Sequence, residues 1–185
     1  MFRIIKADVS GRAPYPMAHR AGPVRPRGFP WSGGRSWREL LDEPIAIEAK
    51  DGAGCPRGLP DFFQASGMQV VSGRFASVLE ALRDEVALWP ASLKYAGAIR
   101  DGYFVANALN LQPSLDMARS TVRLDGVGLA LTANGVALDE QRLGDAQWVK
   151  VWELQQVAVG ASLQSRLLDA GLTGFSFVDP AAVRL

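Results

Sequence analysis

Apolar and polar residues alternate with period two in several stretches of this chain, and two segments switch to a helical stripe. Phe2 to Ile5 reads as an opening strand, and Ile45-Ala46-Ile47-Glu48-Ala49 as a half-buried one. Between them, Ser36-Trp37-Arg38-Glu39 has capping-box spacing, which predicts a short helix ending before Pro44. From Leu59 the texture becomes regular. Pro60 suits the first turn of a short helix that leaves through a left-handed Gly67, and Met68 to Val71 follows as a strand. Ser72 then caps a helix whose stripe is Phe75, Val78, Leu79, Leu82 and Val86.

Further on, ASLKYAGAI and YFVANALNL read as strands joined at Arg100-Asp101-Gly102. TVRLDGVGLAL and GVALDE flank Asn134-Gly135, a pair suited to a turn with φ > 0 at both positions. WVKVWEL alternates again, with Trp148 and Trp152 placed on one strand face as core. Leu163, Leu167 and Ala170 mark a last helix, and Phe175 to Val178 a last strand. VVSGRFASVLEALRDEVALWP and VAVGASLQSRLLDAGLTGFSFVDP echo each other as strand, small-residue turn, helix, strand. Together these elements predict an α+β fold with a mixed, largely antiparallel sheet, a few packed helices and an irregular N-terminal arm. Residues 1–58 form the irregular region, packed on or leading into a domain over 59–185.

Composition adds one asymmetry. Net charge is +1 and 48% of residues are apolar, as in an ordinary soluble domain. Yet Val9 to Arg38 holds six arginines and no acid, and eight of the eleven prolines lie at or before Pro60. Taking those six from the 20 lysines and arginines leaves 14 against 19 acids elsewhere. A basic arm of this kind contacts phosphate, its own acidic body or a partner. MFRIIKADVS lacks the apolar core of a secretory signal, and no apolar run reaches membrane-spanning length, so the cytoplasm is the expected compartment.

Catalytic chemistry is sparse. Glu48 and Lys50 share a strand face in the Glu-x-Lys arrangement with which a metal-dependent nuclease holds a cation beside a lysine. The acid that should accompany them is missing: Asp42 is too near across Pro44, and Asp8 has nothing to place it. His19 is the only histidine, which argues against a His-based zinc site or a Ser-His-Asp triad. Cys55, the only cysteine, permits no intrachain disulfide and no thiolate cluster. None of the four lysines follows a glycine, as a phosphate-binding loop requires, and Gly126-Val127-Gly128 lacks a third glycine. Trp31 and Trp37, beside Arg35 in the basic arm, are the better candidates for partner contact. A binding protein without cofactor or metal fits this inventory better than an enzyme.

Four pieces of the chain, in order, resemble a family of bacterial polymorphic-toxin immunity proteins related to double-CxxCG-motif proteins. LPDFFQASGMQVVSGRFASVLEAL resembles its entry segment, a Pro-Asp pair, a strand and a Ser-capped helix. YFVANALNLQPSLDMARS resembles its central block through Asn107, Leu115-Asp116 and Ser120. A hairpin with WVKVWEL follows, and AGLTGFSF resembles the closing motif through Gly171 and Gly174. The resemblance runs from Leu59 to Pro180; the chain before Leu59 has no counterpart in it, and the paired CxxC motifs are absent. It implies a protein that blocks a cognate toxin, encoded by an adjacent gene, by occlusion and without catalysis. No membrane partner is implied and nucleic acid is not expected. The alternatives are the nuclease built on Glu48 and Lys50, and a nucleic-acid-binding module built on the basic arm.

Overall fold

The computed structural model describes residues 1–8, 17–20, 44–50 and 59–185. Thirteen strands among them form a closed barrel, an open five-stranded sheet and a two-stranded ribbon. The barrel runs β2 (Met17–Arg20), β3 (Ile45–Lys50), β6 (Val86–Tyr95), β7 (Ala98–Ala108), β5 (Met68–Ser72) and β4 (Phe62–Ala65), with β4 returning to β2. The open sheet is ordered β13 (Phe175–Val178), β1 (Arg3–Ala7), β12 (Gln156–Val159), β11 (Trp148–Val151), β8 (Leu111–Gln112). The ribbon is β9 (Val122–Leu124) with β10 (Ala130–Ala133). Pairing is antiparallel except at β2–β4, β3–β6 and β8–β11. The fold is thus α+β with mixed, largely antiparallel sheets.

Three helices complete it: α1 (Gly73–Leu79), continued by a 3-10 turn to Leu82, α2 (Glu140–Leu143) and α3 (Ala161–Asp169). Helices α1 and α3 fill the seam between barrel and open sheet. Phe62, Phe75, Leu79, Trp148, Leu163 and Leu167 are all buried there, together with Ile5, Val157 and Val159. Each such large side chain stabilises the seam by roughly 2–3 kcal/mol. A second core fills the barrel interior around Ile47, Phe63, Val70 and Leu93. A third lies under the far face of the open sheet, where the ribbon covers Ile4, Val149, Val151 and Ala158.

The expected strands at Phe2–Ile5 and Ile45–Ala49 are present as β1 and β3, and the last helix and strand as α3 and β13. Both halves of the internal echo are present too, as β5–α1–β6 and β12–α3–β13. The helix expected at Pro60 is instead the hairpin β4–β5. Phe62 faces the seam and Phe63 the barrel, so both sides of the segment are buried, as a strand between two cores requires. Gly67 is left-handed, but in the two-residue turn Ser66-Gly67, with φ 50° and 80°.

The β6–β7 hairpin likewise turns at Ala96-Gly97 (φ 49° and 77°), not at Arg100-Asp101-Gly102. Gly102 uses its φ of 79° in a bulge, where the register slips between Ala91 and Leu93. The ribbon turns at Asp125–Leu129, not at Asn134-Gly135. The Asp125 carboxylate accepts from the Val127 N–H at 2.9 Å and the Leu129 N–H at 2.8 Å. Gly135 meets the C-terminal segment, where its N–H bonds the Val183 carbonyl at 2.9 Å. Val86 belongs to the core as expected, but it opens β6 and does not end the helix. Trp148 is buried; Trp152 lies past the end of β11, its indole donating to the Val127 carbonyl at 3.3 Å. The expected helix at Ser36 falls outside the described residues.

Candidate functional site

One buried carboxylate gathers three segments that are far apart in sequence. Asp61, just ahead of β4, accepts from the Ser72 hydroxyl at 2.6 Å through Oδ1. Its Oδ2 accepts from the Thr173 N–H at 3.0 Å, the Thr173 hydroxyl at 3.1 Å and Arg74 at 3.5 Å. Backbone bonds reinforce the contact: Ser72 N–H to the Asp61 carbonyl (2.8 Å) and Phe62 N–H to the Thr173 carbonyl (3.0 Å). Ser72 in turn caps α1 by accepting from the Phe75 N–H at 3.3 Å. The Pro-Asp pair, the capping serine and the Leu-Thr-Gly join therefore meet at one point. Tyr103, which donates to the Pro60 carbonyl at 3.4 Å, has its pKa raised by burial first and by the Asp61 charge second.

Gly171 and Gly174 make this meeting possible. Gly171 ends α3 in the left-handed region at φ 59°. Gly174, at φ 92°, lies so close to the Pro60–Phe62 segment that a Cβ there would sit 2.3 Å from the Phe62 carbonyl oxygen and 2.4 Å from Pro60 Cβ. The short passage from helix to strand is set by this approach.

A second junction mirrors the first. Glu85, after α1, accepts from the Gln147 and Trp148 N–H groups, both at 2.7 Å through Oε2. Gln147 in turn accepts from the Leu163 N–H at 3.1 Å and so caps α3, whose own N-cap residue is Gly160. Sequence reasoning did not single out Glu85 or Gln147. Their partners are backbone groups on other elements, and no local spacing signals such a bond.

Of the central-block residues, Asn107 lies in the barrel, and Asp116 and Ser120 precede the ribbon. Asn107 is buried on β7, opposite Ala87. The Asp116 carboxylate accepts from the Ala118 and Arg119 N–H groups (3.0 and 3.2 Å) and pairs with the Arg119 guanidinium. That pairing, with its hydrogen bond, holds the Asp116 carboxyl below its ordinary pKa. Ser120 Oγ accepts from the Ala137 N–H at 2.9 Å and donates to its carbonyl at 3.3 Å, completing the ladder with a side chain. At the ribbon's root the buried Glu153 accepts from Ser114 and Leu115 N–H groups at 3.1 and 3.4 Å. Its own carbonyl accepts from the Ala130 N–H at 2.7 Å. Thus Asp116, Ser120 and Glu153 all hold backbone in place.

The nuclease candidates Glu48 and Lys50 lie on β3 of the barrel. Glu48 projects from the barrel between inward-facing Ile47 and Ala49, and its carboxylate lies 3.9 Å from Lys94 on the neighbouring strand. Asp8 follows β1 in the other sheet, where its N–H bonds the Gly174 carbonyl at 2.9 Å. Among the described residues no three His, Cys, Asp or Glu side chains cluster as a metal site would need. His19 lies on β2 opposite Glu48 in the backbone register, and Lys50 ends β3. Cys55, Trp31, Arg35 and Trp37 lie outside the described residues. Lys150 is a different case: its side chain is buried beside the seam and its pKa is lowered by desolvation. An apolar cleft of about 700 Å³ opens between the end of α1 and β6, lined by Leu79, Leu88, Trp89 and Phe104 with Glu80 and Arg83 among them.

No helix among the described residues is long and apolar enough to cross a membrane. No curated protein matches the chain. A family model described as the immunity protein family (Imm11) matches residues 4–182, and so takes in the region before Leu59 as well as the four motif pieces. With nearly the whole chain covered, from β1 to the turn after β13, the protein belongs to the Imm11 immunity protein family.

Proposed function

We propose that this protein binds a cognate bacterial toxin of the polymorphic type, encoded by an adjacent gene, and neutralises it by occlusion in the cytoplasm. The family match over residues 4–182 carries this reading. The chemistry of the described residues accords with it. Asp61, Glu85, Asp116 and Glu153 are each engaged with backbone or neighbouring side chains, which suits a rigid surface better than a reacting group. Trp31, Arg35 and Trp37 offer aromatic and cationic anchors for that partner from the basic arm.

The test is co-expression with the toxin-like product of the neighbouring gene, scored for survival and for a complex that survives purification. Rescue with a stable complex supports neutralisation by binding. Rescue without any complex, and with the toxin chemically altered, would replace occlusion by catalysis. A neighbour that is toxic alone and stays toxic beside this chain would remove it as the target.

A further inference from the structure

The ribbon carries an unusual share of exposed apolar side chains. Among the described residues, the large hydrophobic side chains left exposed are Met1, Ile99, Met117, Val127, Leu131, Leu168 and Leu185. Met117, Val127 and Leu131 lie within the single stretch 115–138, each at a break in its ladder. Met117 is in the turn held by Asp116, Val127 at the tip held by Asp125, and Leu131 in the bulge between Ala130 and Thr132. The inward side chains of the same stretch, Val122, Ala130, Ala133, Val136 and Leu138, already fill the core beneath. The exposed three are therefore not needed for folding.

Charge distinguishes this face further. Arg123 is exposed on β9, paired in register with exposed Thr132. Among the described residues no carboxylate pairs with its guanidinium. The nearby acids are committed elsewhere, Asp116 to Arg119 and Asp125 to its own turn. Among the described residues the ribbon thus presents an arginine without a carboxylate partner, with exposed Leu131 beside its cross-strand partner Thr132, the composition of an interface centre. It is also braced: Trp152 holds the tip, and Glu153 holds β10 through its carbonyl and the 114–115 segment through its carboxylate, so little ordering is left to do on binding.

We infer that the outer face of this ribbon is a docking surface for the toxin, which brings a carboxylate to Arg123 and apolar contact to Leu131. This rests on the immunity reading above and adds a surface, besides the basic arm, through which it works. The experiment measures rescue and Kd for the toxin with the unaltered chain, with Arg123→Glu, with Leu131→Asp, and with Ile99→Asp as a control on the barrel. Circular dichroism and melting confirm that each variant is folded. Arg123→Glu is expected to weaken binding by about 100-fold or more, and Leu131→Asp by about 10-fold or more, while Ile99→Asp changes neither binding nor rescue. Folded variants at Arg123 and Leu131 that bind and rescue like the unaltered chain would overturn the docking surface and leave the immunity reading standing. An unaltered chain that neither binds nor rescues would sink both. Self-association that Leu131→Asp abolishes while toxin binding persists would assign the face to a second copy, and also overturn the proposal.

Discussion

The two strand–helix–strand units, β5–α1–β6 and β12–α3–β13, are alike in order and unlike in what supports them. Helix α1 is capped by its own Ser72, whereas α3 begins at Gly160 and takes its cap from Gln147, ahead of the preceding hairpin. The links between the units are reciprocal. Past α3, Thr173 bonds to Asp61 at the start of the β4–β5 hairpin that leads into the first unit. Past α1, Glu85 bonds to Gln147 and Trp148 at the start of the β11–β12 hairpin that leads into the second. One unit is nearly complete in local terms, and the other is assembled from parts that the rest of the chain supplies. A fold with two similar units can therefore depend on them unequally.

The sharpest way to break the pairing is Gly174→Val, which combines a backbone clash with a left-handed φ. It should cost about 3 kcal/mol or more in urea unfolding, and a value under about 1 kcal/mol would contradict the close approach. Next come the two carboxylates. Asp61→Ala should cost about 3 kcal/mol, because it strands the Ser72 and Thr173 donors, and Glu85→Ala about 2 kcal/mol, since it strands two N–H groups. In the double mutant, a loss well below the sum would show that the reciprocal joins act as one unit.

Lys150, on β11, acts in the opposite direction, because its buried side chain is desolvated when charged. Its folded pKa lies below 10.5, so between that value and 10.5 the unfolded chain binds more protons. Stability should therefore rise with pH across that window. Lys150→Met should remove the slope and add about 1 kcal/mol at neutral pH, measured by melting at several pH values. Of similar size is Gln147→Ala, which should cost about 1 kcal/mol, with faster amide exchange in α3 and none of that change in α1. Ser72→Ala should give the converse at α1. The smallest effect concerns Asp116, whose lowered pKa makes its contribution present above the ordinary 3.8 and lost as pH falls through the folded value. A carboxyl titration that places Asp116 at or above 3.8 would remove that claim.

Much of the element order was legible where pattern and cap agree, as at Ser72 and over Leu163 to Val178. Turns were misplaced where the left-handed residue preceding the glycine was Ser66 or Ala96, neither of which signals a turn on its own. Gly102 and Gly135 looked like turn residues because both need positive φ, but one sits in a bulge and the other against the C-terminal segment. The barrel was not legible at all. Its closure depends on β3 lying parallel to β6, and no period within either strand chooses the partner. For the candidate site, Pro60-Asp61, Ser72 and Thr173-Gly174 were readable as separate motif pieces. That one carboxylate joins them was not, because sequence order contains no distances.

The place of β1 between β12 and β13 sets a schedule for synthesis. Residues 3–7 leave the ribosome well ahead of the strands that flank them, which begin about 150 residues later. At roughly 5–20 residues per second, that is a wait of roughly 8–30 s during which Ile4 and Ile5 have no sheet to join. An interrupted chain lacks the open sheet and with it the floor beneath the ribbon. Whatever protection the molecule confers would then arrive only with finished chains, so the cell's margin of safety would depend on stock already made.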